Sequence, residues 1–292
     1  MLYHELRKIG VPGEIVDWLR RRYDGRKTRL LFDDFVSDLF LVLGGEDQGD
    51  PFSAIGYILY AAGIFRVVER ETDTEGFGFM DDLAVLMWGK NVDELHKKMG
   101  ELMEKTGGVL EWAEIHNCEF GIDKFKVVDM TRKREKHLDG RRKTRLVKGK
   151  GVKIGGEMVK SDAFARFLGA LMDSELRWEN QHAEMIRKGQ GWVVQFRRLM
   201  KVTDGMVSSH VCQLYKAKAL PRMLYAADVT LAPWTKASGG RKGKTKQAVL
   251  RKLTSIQRQA ALIVTGALSS TATDILDIHA GLLPMPLEIE RQ

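Results

Sequence analysis

Two apolar β runs meet at a pair of carboxylates. Phe77-Gly78-Phe79-Met80 leads into Asp81-Asp82, and Leu83-Ala84-Val85-Leu86-Met87-Trp88 follows. Strand-forming residues on both sides of a short polar break predict a hairpin, and a hairpin turn aims its side chains outward at the end of the ladder. Paired carboxylates in that place suit Mg2+, a hard cation that takes oxygen ligands and keeps positions open for phosphate. Read alone, an Asp-Asp pair is also an ordinary solvated turn, so the neighbours decide.

Upstream, Gln48-Gly49-Asp50-Pro51-Phe52-Ser53 opens an apolar segment running from Ala54 to Phe65. Asp50 suits an N-cap and Pro51 the first helical position. Gly49 lets backbone approach a ligand closely. Alone, this is a capped core helix. Followed by the Met80-Asp81-Asp82 hairpin, it resembles the reverse transcriptases of non-LTR (LINE-like) retrotransposons, particularly those of fungi. The resemblance covers nearly the whole chain. Gly10-Val11-Pro12 with Trp18-Leu19 and Arg26-Lys27-Thr28 resembles the segment leading into the Gln-Gly motif. Trp112-Ala113, His116, Phe120 and Lys124 resemble the next block. Arg166-Phe167-Leu168-Gly169 with Asp173, Leu176 and Trp178 resembles the primer-grip block, with Phe in place of Tyr. Leu214-Tyr215, Pro221 and Leu224-Tyr225 resemble the early thumb, and Ile256-Gln257-Arg258 with Thr265-Gly266-Ala267 the later thumb.

That resemblance implies an α+β fold. A reverse-transcriptase palm, with an antiparallel sheet and packed helices, would span residues 1–180. A helical thumb would span 181–292. It implies RNA-directed DNA polymerase chemistry: nucleotidyl transfer with Mg2+ or Mn2+ on an RNA template, a DNA primer and dNTP. Asp81 and Asp82 would be the catalytic metal ligands, with Lys124 steadying departing charge. Gln48, Gly49, Pro51 and Ser53 would contact template and nucleotide, and Phe167, Leu168 and Gly169 would support the primer. In the family a further carboxylate precedes the Gly-Val-Pro segment. Met1 lies just downstream of where that motif belongs, so the expectation is a truncated palm and thumb, without fingers or first carboxylate motif, and without RNase H or endonuclease domains. On that ground the chain alone is expected to be inactive. The alternative is a non-catalytic nucleic-acid-binding remnant. Gly44-Gly45-Glu46-Asp47 also superficially resembles the signature turn of diguanylate cyclases, but Gln48 stands where that turn has Phe.

The chain has 292 residues, 44% of them hydrophobic, and a net charge of +8. That is enough for a sizeable core and one large or two modest domains. The charge favours an acidic partner, nucleic acid above all. Cys118 and Cys212 are far apart, without ligand spacing, which fits a reduced, intracellular compartment, nuclear or cytoplasmic. No signal-peptide pattern is visible, and no apolar run approaches the length of a spanning helix, so no membrane is expected.

Elsewhere, Pro12 to Tyr23 reads as an amphipathic helix with Ile15, Val16, Leu19 and Tyr23 inward. Asp33-Asp34 reads as a turn between strands 28–32 and 35–43. Asn91 caps a helix whose stripe is Val92, Leu95, Met99, Leu102 and Met103. Phe120 to Met130 reads as a strand, and the lone His116 as structural. The stretch 131–160 carries Arg132, Lys133, Arg134, Arg141, Arg142, Lys143 and Arg145, and reads as a mobile basic hairpin or loop against a nucleic-acid backbone. Residues 236–246 read as a flexible linker between thumb helices, and Leu253, Ile256, Ala260 and Val264 as the inner face of the last long helix.

Overall fold

The computed structural model describes residues 1–47, 49–136, 144–200, 204–231 and 241–291, with side chains in the last stretch from Lys246 onward. Gln48, Arg141, Arg142, Lys143 and the 236–240 part of the expected linker lie outside the described residues. The chain divides into two compact units: Met1–Asp129 with Arg134–Asp162, and Met130–Lys133 with Ala163–Gln292. The division therefore falls at residue 162, not at 180. The primer-grip-like block belongs to the second unit.

The first unit begins with α1 (Leu2–Lys8) and α2 (Gly13–Tyr23). Leu6, Val16 and Leu19 form a small core, while Ile15 is exposed, so the inner face of α2 is narrower than expected. An antiparallel finger follows, made of β1 (Lys27–Thr28), β2 (Leu31–Phe32), β3 (Phe35–Val36) and β4 (Phe40–Leu41). Asp33, with φ of 48°, is at its turn, as the polar break predicted.

Next comes α3 (Pro51–Val68), then the hairpin β5 (Thr74–Phe79) and β6 (Asp82–Met87). α3 is 18 residues long and apolar enough by length and composition to cross a membrane, a test that a core helix also passes. Its Ile64, Val67 and Val68 are buried in the unit's main core, with Leu102, Met103, Val109, Val152 and Ile154. α4 (Val92–Glu104) is capped by Asn91, which accepts from Asp93 N at 3.0 Å. α5 (Val109–Ile115) follows. The expected strand 120–130 is broken by a 3-10 turn at Ile122–Lys124 and survives only as β7 (Val127–Val128). Among the described residues the basic stretch holds two antiparallel pairs, the hairpin form of the two expected. β8 (Arg134–Lys136) pairs with β9 (Thr144–Leu146), and β10 (Val152–Ile154) pairs with β11 (Glu157–Val159). Val152 and Ile154 are buried, which anchors this basic sequence to the core. β12 (Ser161–Asp162) closes the unit in a parallel pair with β7. Among the described residues every sheet is a two-stranded ladder, so the strands do not join into one wide sheet.

In the second unit, the hairpin β13 (Phe164–Phe167) and β14 (Ala170–Asp173) precedes the long helix α6 (Glu179–Leu199). α7 (Ser208–Leu214) continues through a π-helical turn at Tyr215–Ala219 into α8 (Leu220–Met223), followed by α9 (Ala227–Thr230). α10 (Arg241–Thr265), α11 (Thr273–Ala280) and α12 (Met285–Arg291) complete it. The expected linker is thus helical from Arg241. Phe196, Tyr215, Met223, Leu253, Ile256, Ala260 and Leu276 share one core, which places the predicted inner face of α10 inward. Gln257 sits in that core, 1% exposed, and its amide donates to Asp277 Oδ1 at 3.0 Å and to Leu283 O at 2.8 Å.

One packing detail fixes how the β5–β6 hairpin lies. Gly76 and Gly78 sit over the Phe65 ring of α3; a Cβ on Gly76 would stand 2.7 Å from Phe65 Cδ1, and one on Gly78 would collide with the ring tip. Gly78→Ala is expected to destabilise the unit by about 1–3 kcal/mol, the usual range for overpacking. Adding Phe65→Leu should recover much of that loss. Urea midpoints of the single and double variants check both statements.

Candidate active site

β5 runs back along α3. Thr74 Oγ1 donates to Val68 O at 2.8 Å, near the helix C-terminus, and Gly76 and Gly78 meet Phe65 one turn earlier. The hairpin tip therefore points toward the N-terminal half of the helix. There Tyr57 registers Asp81: burial first, then the neighbouring Cys118 and Asp81 charges, push its phenol pKa up. Phe79 pairs with Asp82, so Met80 and Asp81 form a two-residue turn. Met80 takes a left-handed φ of 53°. Leu83, Val85 and Met87 pack inward. Strand alternation then sets Asp82 on the opposite face with the exposed Phe77, Phe79 and Leu86. Both carboxylates are exposed at the tip.

The other half of the candidate site is the start of α3. Asp50 Oδ1 accepts from Phe52 N at 3.1 Å, the predicted cap. Its Oδ2 takes Arg22 Nη2 at 2.5 Å. Arg26 holds Asp47 at 2.9 Å and donates to Gly45 O at 2.8 Å. Ser53 Oγ donates to Asp47 O at 2.8 Å. Gly49 turns with φ of 89°, which a residue with a Cβ adopts only under strain. Pro51 occupies the first helical turn and is exposed. The helix N-terminus would by itself attract an anion. Here Asp50 already occupies it, and Arg22 balances Asp50. Behind it, the Glu46 carboxylate packs against Gly56. Burial raises its pKa, the Asp50 charge adds to the rise, and Arg26 opposes it.

Lys124 is exposed on its 3-10 turn. Among the described residues no hydrogen bond or ion pair joins it to Asp81 or Asp82. His116 is structural: buried, stacked on Trp112 at 4.0 Å, its Nδ1 donating to Trp112 O at 2.7 Å. Tyr60 donates to His116 O at 2.5 Å, and burial above all lifts its phenol pKa to about 12. Of the basic residues, Arg145 is paired with Glu135 at 2.7 Å, and Arg132, Lys133 and Arg134 are exposed. Phe167, Leu168 and Gly169 form the tip of the β13–β14 hairpin in the second unit.

The metal reading meets a limit in the donor set. Among the described residues no group of three or more His, Cys, Asp or Glu side chains is placed to hold a metal ion. Two carboxylates fit a single Mg2+ that shares its shell with water and phosphate. They do not make a two-metal centre.

A buried charge cluster escaped the sequence reading. His96 Nε2 donates to Asp129 Oδ1 at 2.6 Å, and His96 Nδ1 accepts from Gly151 N at 3.0 Å. Asp129 Oδ2 accepts from Gly149 N at 2.9 Å. The signal was present: His96 lies four residues after Val92 and four before Gly100, on the inner stripe of α4.

Over 130 residues, 42% of the chain, it is 28% identical to the retrovirus-related Pol polyprotein of a type-2 retrotransposable element of Drosophila melanogaster, covering 11% of that protein. Over 210 residues, 72% of the chain, it is 26% identical to the corresponding polyprotein of a type-1 element of Nasonia vitripennis, covering 57% of that protein. The chain thus spans only part of these relatives' length. No family profile and no solved structure matches it. The similarity relates the chain to the Pol polyproteins of retrotransposable elements.

Proposed function

We propose that this chain is the palm and thumb portion of a retrotransposon reverse transcriptase of the LINE-like kind. The observation that carries the reading is a hairpin braced on α3 that bears Asp81 and Asp82 and runs from the C-terminal part of that helix toward the half that Asp50 caps, in a sequence similar to retrotransposon Pol polyproteins. Asp81 and Asp82 contribute carboxylates to a Mg2+ or Mn2+ site that needs further ligands. The exposed basic residues at 132–134 and the hairpin tip at 167–169 contact the backbone of an RNA template and DNA primer. The metal, when bound, supplies charge neutralisation at the phosphates. The chain's own part is to hold the carboxylates at the end of a braced hairpin and to grip the nucleic acid. The thin donor set favours the second reading, a nucleic-acid-binding protein without catalysis.

Both readings require binding, which is tested first. The chain should bind an RNA–DNA primer–template without sequence preference, more weakly as salt rises. Counterion release sets the slope of log Kd against log salt at about 0.9 per duplex phosphate contacted, or about 0.7 per single-strand phosphate. Replacing Arg132, Lys133 and Arg134 by Gln should flatten that slope by up to about two to three units. A salt-independent Kd from fluorescence anisotropy would refute the electrostatic role of the basic segment.

A further inference from the structure

The β13–β14 hairpin turns in two residues, because Phe167 pairs with Ala170. Leu168 and Gly169 both have positive φ, 47° and 80°. Hairpins of that handedness favour Asn, Asp or Gly at the first turn position, since a larger residue there is strained. Leucine is therefore held against its preference. Two side chains hold it. Tyr225 donates its hydroxyl to the Leu168 carbonyl, and its ring lies under the turn, where a Cβ on Gly169 would stand 3.0 Å from Tyr225 Cε1. Gln181, 1% exposed on α6, accepts from Leu171 N at 3.0 Å and donates to Tyr225 O at 2.9 Å. One buried amide thus fixes both the strand leaving the turn and the backbone of the residue that clamps it.

What the clamp displays is apolar and basic. Leu168 is 38% exposed, Phe164 45% and Tyr225 47%, and Arg166 lies on the same strand face as Phe164. An exposed ring on the same strand face as an arginine suits a nucleic-acid strand, with stacking on the ring and the guanidinium on phosphate. Strain kept by dedicated contacts is a motive for a functional hypothesis. We propose that Tyr225 and Gln181 are positioning residues that hold the strained Leu168–Gly169 turn in the geometry that contacts the primer strand. This rests on the reverse-transcriptase reading given above.

The test measures primer–template Kd and the thermal midpoint for the full chain and three variants. Leu168→Ala removes the contact. Tyr225→Phe removes only the hydroxyl from a half-exposed ring. Leu168→Asn accepts the left-handed turn without strain. Tyr225→Phe should weaken binding about 2- to 10-fold, the worth of one hydrogen bond, with the salt slope unchanged. Leu168→Asn should raise the midpoint while weakening binding, a pattern that a purely structural turn would not give. If Leu168→Ala weakens binding and Tyr225→Phe does not, the positioning role is wrong and the primer-contact reading stands. If none of the three changes Kd, or the parent chain does not bind at all, the primer-contact reading fails and the positioning role with it. Should Tyr225→Phe lower the midpoint into the assay range, its affinity is read below the new midpoint, and unchanged affinity there overturns the positioning role.

Discussion

Asp129→Ala is expected to lower the stability of the first unit by about 3 kcal/mol, the cost of breaking a buried, hydrogen-bonded pair by removing one partner. Its carboxylate satisfies the Gly149 N–H and the His96 ring together. Without it, the buried His96 ring and the half-buried Gly149 N–H lose their acceptor. The loss extends to the basic segment, since His96 also accepts from Gly151 N and Asp93 accepts from Lys150 N at 3.1 Å. These contacts tie the end of the segment to α4. Urea unfolding should show a lower midpoint and, by hydrogen exchange, faster exchange at residues 149–151. The same cluster sets an acid limit. Burial alone would raise the Asp129 pKa, but the Gly149 N–H, the His96 ring and the Ser161 hydroxyl outweigh it and hold it below the ordinary value. A depressed folded-state pKa contributes stability in full above the unfolded-state value of about 3.9, and loses it as pH falls through the folded-state value. The unfolding midpoint of the parent should therefore drop on acidification below about pH 4, more steeply than that of Asp129→Ala. Equal slopes would mean that the carboxylate is not the group responsible.

What was legible in the sequence were the features set by local chemistry. Asp50, Pro51 and Asn91 mark helix starts by capping, and the structure begins helices there. The hairpin follows from apolar runs on either side of a polar break, though its turn falls on Met80-Asp81 and Asp82 opens the second strand, one residue earlier than the Asp81-Asp82 break suggests. The inner face of α10 follows from its spacing. What was not legible depended on partners distant in sequence. Nothing local reveals that Gly149 and Gly151 must approach His96, or that Val152 and Ile154 anchor the basic stretch to the core. The unit boundary near 162 was missed for the same reason: Gln181 and Tyr225 bind the β13–β14 hairpin to the helices after it. At the site, the sequence offered residue types and order. It did not offer the brace of Phe65 against two glycines, which aims the tip along α3.

Supplied with dNTP and either Mg2+ or Mn2+, the chain alone is expected to leave a DNA primer on an RNA template unextended. Nucleotidyl transfer of the two-metal kind requires ions about 3.5–4 Å apart, embraced by carboxylates from separate segments. Asp81 and Asp82 are adjacent on one hairpin, and strand alternation sends Asp82 to the face bearing Phe77 and Phe79 while Asp81 sits in the two-residue turn. No third ligand joins them among the described residues. Asp50 is engaged by the helix cap and Arg22, Asp47 by Arg26, and Asp33 by its turn. Losing even one preorganised donor to developing charge costs about 100- to 1,000-fold in rate, and an incomplete metal centre costs more. A polypeptide bringing a further carboxylate to the Asp81–Asp82 tip, added in trans or joined to the chain, should restore extension. Asp81→Ala should abolish that restored activity while leaving primer–template affinity within about 2-fold, since an exposed carboxylate adds no phosphate contact. Primer extension by the chain alone above the Asp81→Ala background would show that the described residues do complete the site. Failure of every carboxylate-bearing partner, with binding intact, would favour the non-catalytic reading instead.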